Sequence, residues 1–377
     1  MSNTAPEKPW LLTPGPLTTT RTVKEAMLFD WGSRDSEFID MCAYVRDHLV
    51  ELVHGEDRYA TVCMQGSGTF AIEATIGTLV PPTGKLLVLV NGAYGHRMVK
   101  IAKTLGRKVA FGEWAEDQVP DAATVGQLLE QHADATHVAI VHCETTSGIL
   151  NPIEDIAALV AEHGKPLIID AMSAFGAIEL DSRKTPFAAV VASTNKCLEG
   201  VPGMGFAIVR KSDLSECQGN CHSLALDLYE QWVYTDRTGQ WRFTPPIHVI
   251  AAFQQALREH STEGGVAGRG ARYANNCRVL VGGMRELGFE TLLPDEVQAP
   301  IIVTFKEPGD AKYDFAAFYE YLREKNFVIY PGKLTEAASF RMGCIGALDE
   351  THMRGAVDAV RWAMSQLGMS SGAPPAA

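Results

Sequence analysis

The sequence lacks the patterns that define several large classes of protein. It has no basic segment followed by an apolar core near its start, and no apolar run approaches membrane-spanning length. We therefore expect neither a signal peptide nor a transmembrane helix, and a cytoplasmic location. Lys and Arg number 33 against 45 Asp and Glu, which gives a net charge of −12. This excess of negative charge argues against a nucleic-acid or anionic-membrane partner.

The eight cysteines lack the paired spacing of a disulfide framework or a zinc ribbon. Cys217, Cys221 and His222 form the one cluster that we consider as a possible metal site. Two thiols without a second ligand pair downstream rarely bind zinc. We therefore expect free thiols and no metal site.

The order of β-rich and helical segments predicts an α/β fold. Seven β-rich runs alternate with amphipathic segments between residues 60 and 210. Strands that alternate with helices form a mainly parallel sheet covered on both faces. After the glycines of 261–270 the pattern becomes α+β, which predicts a large domain over 1–264 and a smaller C-terminal domain over 265–368. The tail, 369–377, is expected to be disordered.

One lysine lies at an unusual place in this pattern. In "VVASTNKCLEGVPGMGF", residues 190–206, Lys196 follows a β-branched run and precedes a glycine-rich turn. A lysine beside a buried strand end needs a partner or a chemical role. One interpretation is chemical: a desolvated amine can form a Schiff base with a carbonyl compound, and pyridoxal phosphate is the commonest cofactor of this kind. The other interpretation is an ordinary solvated lysine in a loop.

Two further segments fit a phosphorylated ring cofactor. "GSGTF", residues 66–70, follows a strand and opens a helix, so its N–H groups and the hydroxyls of Ser67 and Thr69 could bind phosphate. An ordinary capped strand-to-helix turn explains the segment equally well. Asp170 ends the apolar run "KPLIID" and could pair with a protonated ring nitrogen, although it could also cap the next turn.

Three more residues are candidates for the same site. Tyr94, in "NGAYGHR", could stack on a planar ring or be a core tyrosine. Thr145, in "CETTSG", could donate to a phenolate oxygen or lie in a turn without a ligand. Arg341, in "SFRMG", has the planar fork that matches carboxylate and phosphonate oxygens, although a surface ion pair would also explain it.

The order of these features resembles the fold-type I pyridoxal-phosphate enzymes, and within them the class V aminotransferases. The resemblance extends from residue 11 to 346, and its specificity comes from the set of motifs together. The motifs are "LLTPGPLTTT", "AMLFDWGSRDSEF", "GSGTFAIEA", "NGAYGHRM", "IIDAMSAFGA", "STNKCLEGVPG", "FTPPIHV" and "IYPGKLT" followed by "FRMGCIG".

The resemblance implies a role for each candidate residue. Lys196 corresponds to the Schiff-base lysine, and Asp170 to the partner of the pyridine nitrogen. The other implied cofactor contacts are Tyr94 on the ring, Thr145 near the phenolic oxygen, and Ser67, Gly68 and Thr69 around the phosphate. Thr244, in "RFTPPIHV", corresponds to a residue that reaches the phosphate from the neighbouring subunit, which implies a homodimer with shared active sites.

The motifs most resemble the branch of this class that transfers the amino group of 2-aminoethylphosphonate to pyruvate. Arg341 then corresponds to the arginine that holds the substrate anion. Arg34, in "GSRDSEF", is a candidate second cation, and a structural ion pair is the other interpretation.

Other functions remain open on the sequence alone. Alanine:glyoxylate and serine:pyruvate aminotransferases differ from this branch by few pocket contacts. A desulfurase would need a mobile-loop cysteine, which the second domain lacks. A nucleotide-binding oxidoreductase would need the full glycine fingerprint. A cofactor-binding protein without turnover would be expected to lose Lys196 or Asp170.

Overall fold

The protein is described by a computed structural model that covers residues 9–332 and 338–375. The strands are β1 (Trp10–Leu11), β2 (Tyr59–Gly66), β3 (Lys85–Val90), β4 (Lys108–Glu113), β5 (His137–Val141), β6 (Cys143–Glu144), β7 (Ile149–Leu150), β8 (Leu167–Asp170), β9 (Ala189–Ser193), β10 (Gly203–Arg210), β11 (Ile302–Lys306), β12 (Phe327–Val328), β13 (Tyr330–Pro331) and β14 (Ser339–Gly343). The helices are α1 (Arg21–Glu25), α2 (Ser36–Glu51), α3 (Gly68–Leu79), α4 (Ala93–Thr104), α5 (Ala122–Gln131), α6 (Ile153–Glu162), α7 (Lys211–Ser215), α8 (Leu228–Thr238), α9 (Ile247–Thr262), α10 (Gly265–Glu286), α11 (Phe315–Glu324) and α12 (Glu350–Leu367).

A seven-stranded sheet forms the centre of the molecule, in the order β2-β10-β9-β8-β5-β3-β4. Strand β10 runs antiparallel to both β2 and β9, and the other pairs are parallel. Successive residues of β3 enter two different cores, with Leu87 and Leu89 in one and Leu86, Val88 and Val90 in the other. Both faces are therefore buried, which is why these strands read as continuous apolar runs. The predicted mostly parallel seven-stranded sheet is confirmed.

The residues after α9 build a separate, smaller core. Strands β11, β14 and β13 form an antiparallel sheet, and α10, α11 and α12 contribute to the same hydrophobic cluster. Four aromatic rings pack at its centre, those of Phe289, Phe305, Phe318 and Phe340. This matches the predicted α+β pattern, while the domain boundary at 264/265 stays a prediction.

The two ends of the described chain are both hydrogen-bonded to this C-terminal region. Strand β1 pairs in parallel with β12, so that Trp10 lies opposite Phe327. At the other end Gly372 donates its N–H to the carbonyl of Leu287, and Gly309 donates to that of Ala373. Backbone groups of Gly372 and Ala373 therefore find partners, while the disorder expected for 369–377 stays a prediction; residues 376–377 lie outside the described range.

Within the described ranges, no helix combines the length and the apolar character needed to cross a membrane.

Candidate active site

Lys196 lies in a tight turn just beyond the carboxyl end of β9. The N–H of Glu199 donates to the carbonyl of Lys196 at 2.8 Å, and the N–H of Gly200 donates to that of Thr194 at 2.8 Å. Glu199 adopts a φ of 57°, a left-handed conformation that is strained for a side chain other than glycine or asparagine. The turn thus holds the lysine at the sheet edge where parallel α/β sheets bind ligands.

The amine of Lys196 contacts the N-terminal segment. Its Nζ donates to the carbonyl of Pro14 at 2.7 Å. The next residue, Gly15, has a φ of 118°, and a Cβ on it would lie 2.6 Å from Nζ. Only glycine suits this position, because both the backbone conformation and the close approach exclude a side chain. The carbonyl therefore orients the amine that sequence analysis singled out.

Burial lowers the pKa of Lys196 to about 8. Desolvation is the largest cause, the charges of Cys197 and Asp170 oppose it, and the nearby positive charges of Arg97 and Arg341 add to it. A lysine with this pKa is partly neutral near physiological pH, whereas an ordinary lysine is protonated. A neutral amine is the form that can act as nucleophile or base.

Asp170 ends β8, the strand next to β9, and is only 4% exposed. Within 9–332 and 338–375, the N–H of Met172 is the one hydrogen-bond donor to its carboxylate, at 3.0 Å. Burial raises the pKa of Asp170 to about 6, and the charge of Glu144 raises it further, while Arg97 and Lys196 oppose the shift. A buried carboxylate with a single neutral donor suits a cationic partner, as a protonated ring nitrogen would be.

The residues predicted to bind phosphate, Ser67, Gly68 and Thr69, lie at the start of α3 and are called the phosphate cup below. Ser67 is the N-cap, and its side chain accepts no hydrogen bond from the helix, so the first N–H groups of α3 have no side-chain cap. A Cβ on Gly68 would lie 2.3 Å from the sulfur of Met172, the residue whose N–H binds Asp170. The close packing at Gly68 places the uncapped helix terminus beside the Asp170 strand end. Such a terminus suits an anion.

Tyr94 is held at the start of α4 by a buried carboxylate. The N–H groups of Tyr94 and Gly95 donate to Oε2 of Glu144 at 3.1 and 3.2 Å. Thr146 donates its hydroxyl to Oε1 at 2.6 Å. Burial raises the pKa of Glu144, which these hydrogen bonds partly oppose. Glu144 thereby caps α4 and fixes the tyrosine next to the other site residues.

Arg341 is 5% exposed in β14 and reaches the large sheet. Its Nη1 donates to the carbonyl of Thr145 at 2.9 Å, and its Nε donates to that of Pro331 at 3.2 Å. It forms no ion pair with a carboxylate in the described part of the chain. Burial lowers the pKa of Arg341, whereas the oxygens of Tyr94 and Tyr330 raise it. A buried guanidinium without a counter-anion is suited to bind a substrate anion.

Arg34 and Thr244 form no hydrogen bond to this cluster in the described part of the chain, although Thr244 lines a cavity with Gly66 and Phe70, which flank the predicted phosphate-binding residues. Both Arg34 and Thr244 are exposed, and they line a common surface groove together with Ser33, Tyr234 and Phe243. The structure therefore connects seven of the expected positions with the surroundings of Lys196 and puts Arg34 and Thr244 in one groove of the same chain. The seven are Ser67, Gly68, Thr69, Tyr94, Thr145, Asp170 and Arg341.

A buried network of charges anchors the lysine turn to the C-terminal region. Tyr273 donates to Oε1 of Glu199 at 2.5 Å, and Arg272 donates to the same oxygen at 2.7 Å. Arg272 also donates to the carbonyls of Gly346 and Leu348, just beyond β14. Arg269 donates to the carbonyl of Cys197. The network connects the turn that carries Lys196 with the segment that follows Arg341.

Sequence reasoning did not identify Pro14, Glu144 or Arg97. Pro14 acts through its carbonyl, which no residue type reveals. Glu144 was inside the quoted "CETTSG" segment, and a carboxylate at a strand end was an available signal. Arg97 was inside "NGAYGHR"; its Nη1 donates to Oγ1 of Thr69 at 3.2 Å, and its Cζ lies 4.6 Å from the centre of the Tyr94 ring.

The sequence and fold match one family of enzymes. Residues 30–342 match the model of the family described as aminotransferase class-V. The chain belongs to the class V aminotransferase family. A protein of Polaromonas sp. strain JS666 named 2-aminoethylphosphonate–pyruvate transaminase 1 is 54% identical over 95% of this chain and 97% of its own length. A 2-aminoethylphosphonate–pyruvate transaminase of Pseudomonas aeruginosa PAO1 is 54% identical, over 97% of this chain and 98% of its own length.

Solved structures share the fold at lower identity. The pyridoxamine–pyruvate aminotransferase of Mesorhizobium loti superposes with a TM-score of 0.88 at 24% identity, over 97% of this chain and 94% of its own. The alanine–glyoxylate aminotransferase of Nostoc sp. gives a TM-score of 0.88 at 24% identity, over 97% of each chain. The expected class V aminotransferase fold is confirmed.

Proposed function

We propose that this class V aminotransferase uses pyridoxal 5′-phosphate to transfer the amino group of 2-aminoethylphosphonate to pyruvate, with phosphonoacetaldehyde and L-alanine as products. The observation that carries the proposal is that one site contains both Lys196, an amine of lowered pKa, and Arg341, a buried arginine without a counter-anion among the described residues. The identity of 54% to transaminases named for these two substrates supports the same reaction.

The described residues fit the cofactor at three points. Asp170 is a buried carboxylate without a cation bonded to it, the first turn of α3 has uncapped N–H groups, and Lys196 presents an amine close enough for its charge to act on Asp170. These would hold the ring nitrogen, the phosphate and the aldehyde carbon. Pyridoxal phosphate supplies an aldehyde that condenses with amines and a ring that withdraws electron density.

The protein residues then provide binding and proton transfer. Arg341 donates two parallel hydrogen bonds to phosphonate in the first half-reaction and to the carboxylate of pyruvate in the second. Lys196 would take a proton from the substrate carbon that bears nitrogen, hold it on Nζ and give it up at a different carbon, because its pKa of about 8 is near the working pH. Asp170 remains anionic above pH 6 and stabilises a positive charge at the ring nitrogen.

The expected homodimer is part of the proposal. Thr244 and Arg34 are exposed in one groove, next to the exposed side chain of Phe243. We propose that a partner subunit covers this groove, so that Thr244 reaches the partner's phosphate cup and Arg34 its substrate site. The phosphonate then meets two guanidinium groups, which suits its greater charge. The proposed location is the cytoplasm.

The substrate assignment is tested by the absorbance spectrum of the cofactor-loaded enzyme with one amine at a time and no acceptor. We expect 2-aminoethylphosphonate and alanine to convert the aldehyde form of the cofactor to its amine form, and serine to leave it unchanged. Conversion by alanine or serine without conversion by 2-aminoethylphosphonate would move the protein to the alanine:glyoxylate or serine:pyruvate branch.

The Lys196→Ala variant is the control, because it lacks the amine. It should show no conversion on the time scale of turnover, and borohydride should not fix the cofactor to it. Turnover of this variant at the normal rate would refute the proposed role of Lys196.

A further inference from the structure

We propose that Arg97 is the cation that neutralises the cofactor phosphate and that it acts through the hydroxyl of Thr69. The inference rests on the proposed function only in taking pyridoxal phosphate as the cofactor. It assigns a role to a residue outside the set that the motifs identified.

The position of Arg97 is fixed by two contacts. Its guanidinium lies over the ring of Tyr94, with Cζ 4.6 Å from the ring centre, and its Nη1 donates to Oγ1 of Thr69 at 3.2 Å. The side chain is half-buried. A guanidinium that stacks on an aromatic ring and bonds to a threonine has lost part of its freedom, so it is preorganised for a third partner.

The hydrogen bond to Thr69 determines what the hydroxyl can do. A hydroxyl has one proton to donate and two lone pairs to accept. Since Arg97 donates to Oγ1, the proton of Thr69 is available for another acceptor. The first turn of α3, where the N–H groups lack a side-chain cap, is the adjacent place where an anion would bind.

The charge balance of the cup supports a cation there. Ser67, Gly68 and Thr69 are all neutral, whereas a phosphate monoester carries a charge between −1.5 and −2 near pH 7. Two buried carboxylates, Glu144 and Asp170, lie in the same region and add negative charge. An anion bound beside them needs a positive group.

Arg97 has the capacity to supply this charge. It forms no ion pair with a carboxylate within 9–332 and 338–375, and its bond to Thr69 uses one of five N–H groups. Its charge also reaches the centre of the site, because it lowers the pKa values of both Asp170 and Lys196.

The test compares pyridoxal phosphate with pyridoxal, which lacks the phosphate. Dissociation constants are measured by absorbance after dilution of the loaded enzyme and after reloading with either compound. For Arg97→Gln we expect the constant for pyridoxal phosphate to rise about 10- to 100-fold, the range for a lost hydrogen bond to a charged group. The constant for pyridoxal should change less than about threefold, and Arg97→Lys should lie between the wild type and Arg97→Gln.

Lys100→Gln is the matched control, since it removes one positive charge from an exposed position on the same helix. It should bind both compounds like the wild type. A second readout is the phosphorus NMR titration of the loaded enzymes. Arg97 favours the dianion, so its loss should raise the pKa of the bound phosphate, and Arg97→Lys should restore most of the difference.

Two results would overturn the inference. Equal weakening of pyridoxal and pyridoxal phosphate would show that Arg97 acts only through the Tyr94 ring. Unchanged constants with a raised KM for 2-aminoethylphosphonate would show that it binds the substrate instead. A wild-type protein that binds no pyridoxal phosphate would refute the proposed function itself. This result differs from the two above, which refute only the role of Arg97.

Discussion

The Nζ of Lys196 donates to the carbonyl of Pro14 at 2.7 Å, although the two residues are 182 positions apart in the chain. The amine therefore points at a neutral acceptor instead of an acid. A carboxylate partner would hold the lysine in its charged form, whereas a carbonyl orients it and leaves its pKa low enough for proton exchange. The lysine is thus oriented for chemistry and is not fixed in a structural ion pair.

Replacing Arg341 with lysine should weaken both half-reactions. Lysine keeps the charge but loses the planar fork that binds two oxygens at once. We expect kcat/KM to fall about 10- to 100-fold for 2-aminoethylphosphonate and for pyruvate, mostly through KM. Steady-state kinetics with each substrate varied in turn measure this. Arg354→Lys, at an exposed position on α12, is the control and should behave as wild type; unaltered KM values in Arg341→Lys would argue against the assignment.

Mixing the Lys196→Ala and Arg34→Ala proteins should raise activity at low 2-aminoethylphosphonate if sites are shared between subunits, because the first lacks the amine and the second binds the phosphonate weakly. In a mixed dimer of Lys196→Ala and Arg34→Ala chains, one site has both native residues when Arg34 acts across the interface. Random exchange makes about half the dimers mixed, so activity should return to about a quarter of the wild-type level. The assay is activity after co-refolding, with each variant alone as control. No recovery would mean that Arg34 acts within its own chain or has no role.

The Arg34→Ala chain alone also discriminates between substrates. Loss of the Arg34 guanidinium should weaken binding of the phosphonate more than binding of pyruvate, because the phosphonate carries more charge. Equal KM values with the wild type for both substrates would leave Arg34 as a structural residue.

Asp170 should make the cofactor-free protein less stable as pH rises. Its pKa is about 6 in the folded state against 3.8 for an ordinary aspartate, so the folded form holds a proton that the unfolded form has released between these values. Stability therefore falls from about pH 4 to pH 6 and is constant above it with respect to this group. The expected change is on the order of 2–3 kcal/mol.

The Asp170→Asn variant isolates this contribution. Urea unfolding measures the free energy of unfolding of both proteins at pH 4 and pH 7. The stability of the variant relative to the wild type should increase between these pH values by on the order of 2–3 kcal/mol. Asp40→Asn, on the exposed side of α2, should show no such growth. Loading with cofactor should abolish the effect, since a positive ring nitrogen stabilises the carboxylate. A pH-independent difference would contradict the raised pKa.

The hydroxyl of Tyr273 should be needed to hold the lysine turn. Tyr273→Phe leaves Glu199 without one donor in a buried place, which costs about 1–3 kcal/mol of unfolding free energy. It should also raise KM for both substrates, because the turn and the segment after Arg341 lose a common anchor. Urea unfolding and steady-state kinetics measure the two effects.

Tyr313→Phe is a matched control for that variant. The hydroxyl of Tyr313 is also buried but has no hydrogen-bond partner among the residues that the structure describes. Its removal should leave stability unchanged or improve it. Similar losses in both variants would show that the Tyr273 network contributes nothing beyond packing.

The sequence predicted the parts of the site that strands deliver. Lys196 and Asp170 each follow a β-branched or aliphatic run, and the carboxyl ends of parallel strands meet at one edge. The pattern of apolar runs also predicted the seven strands, because both faces of the sheet are buried. Local composition was sufficient for these features.

Local sequence patterns could not predict contacts between distant segments of the chain. The carbonyl of Pro14 meets Lys196 although the two residues are far apart in the sequence, and the preceding strand β1 is paired with the equally distant β12. The role of Glu144 depends on the approach of α4 to a neighbouring strand end, and that of Arg97 depends on the distance between α3 and α4. Such positions follow from packing, which hydrophobic periodicity does not specify.

The pairing of β1 with β12 has a consequence for the synthesis of the protein. Trp10 leaves the ribosome long before its partner Phe327 is made. The segment 13–16, whose carbonyl at Pro14 contacts Lys196, therefore cannot be held by this pairing until the chain has been made as far as β12. The strands of the seven-stranded sheet are all made before that point, so the complete environment of Lys196 forms after them. Nascent chains released early should be folded in their first half yet unable to catalyse.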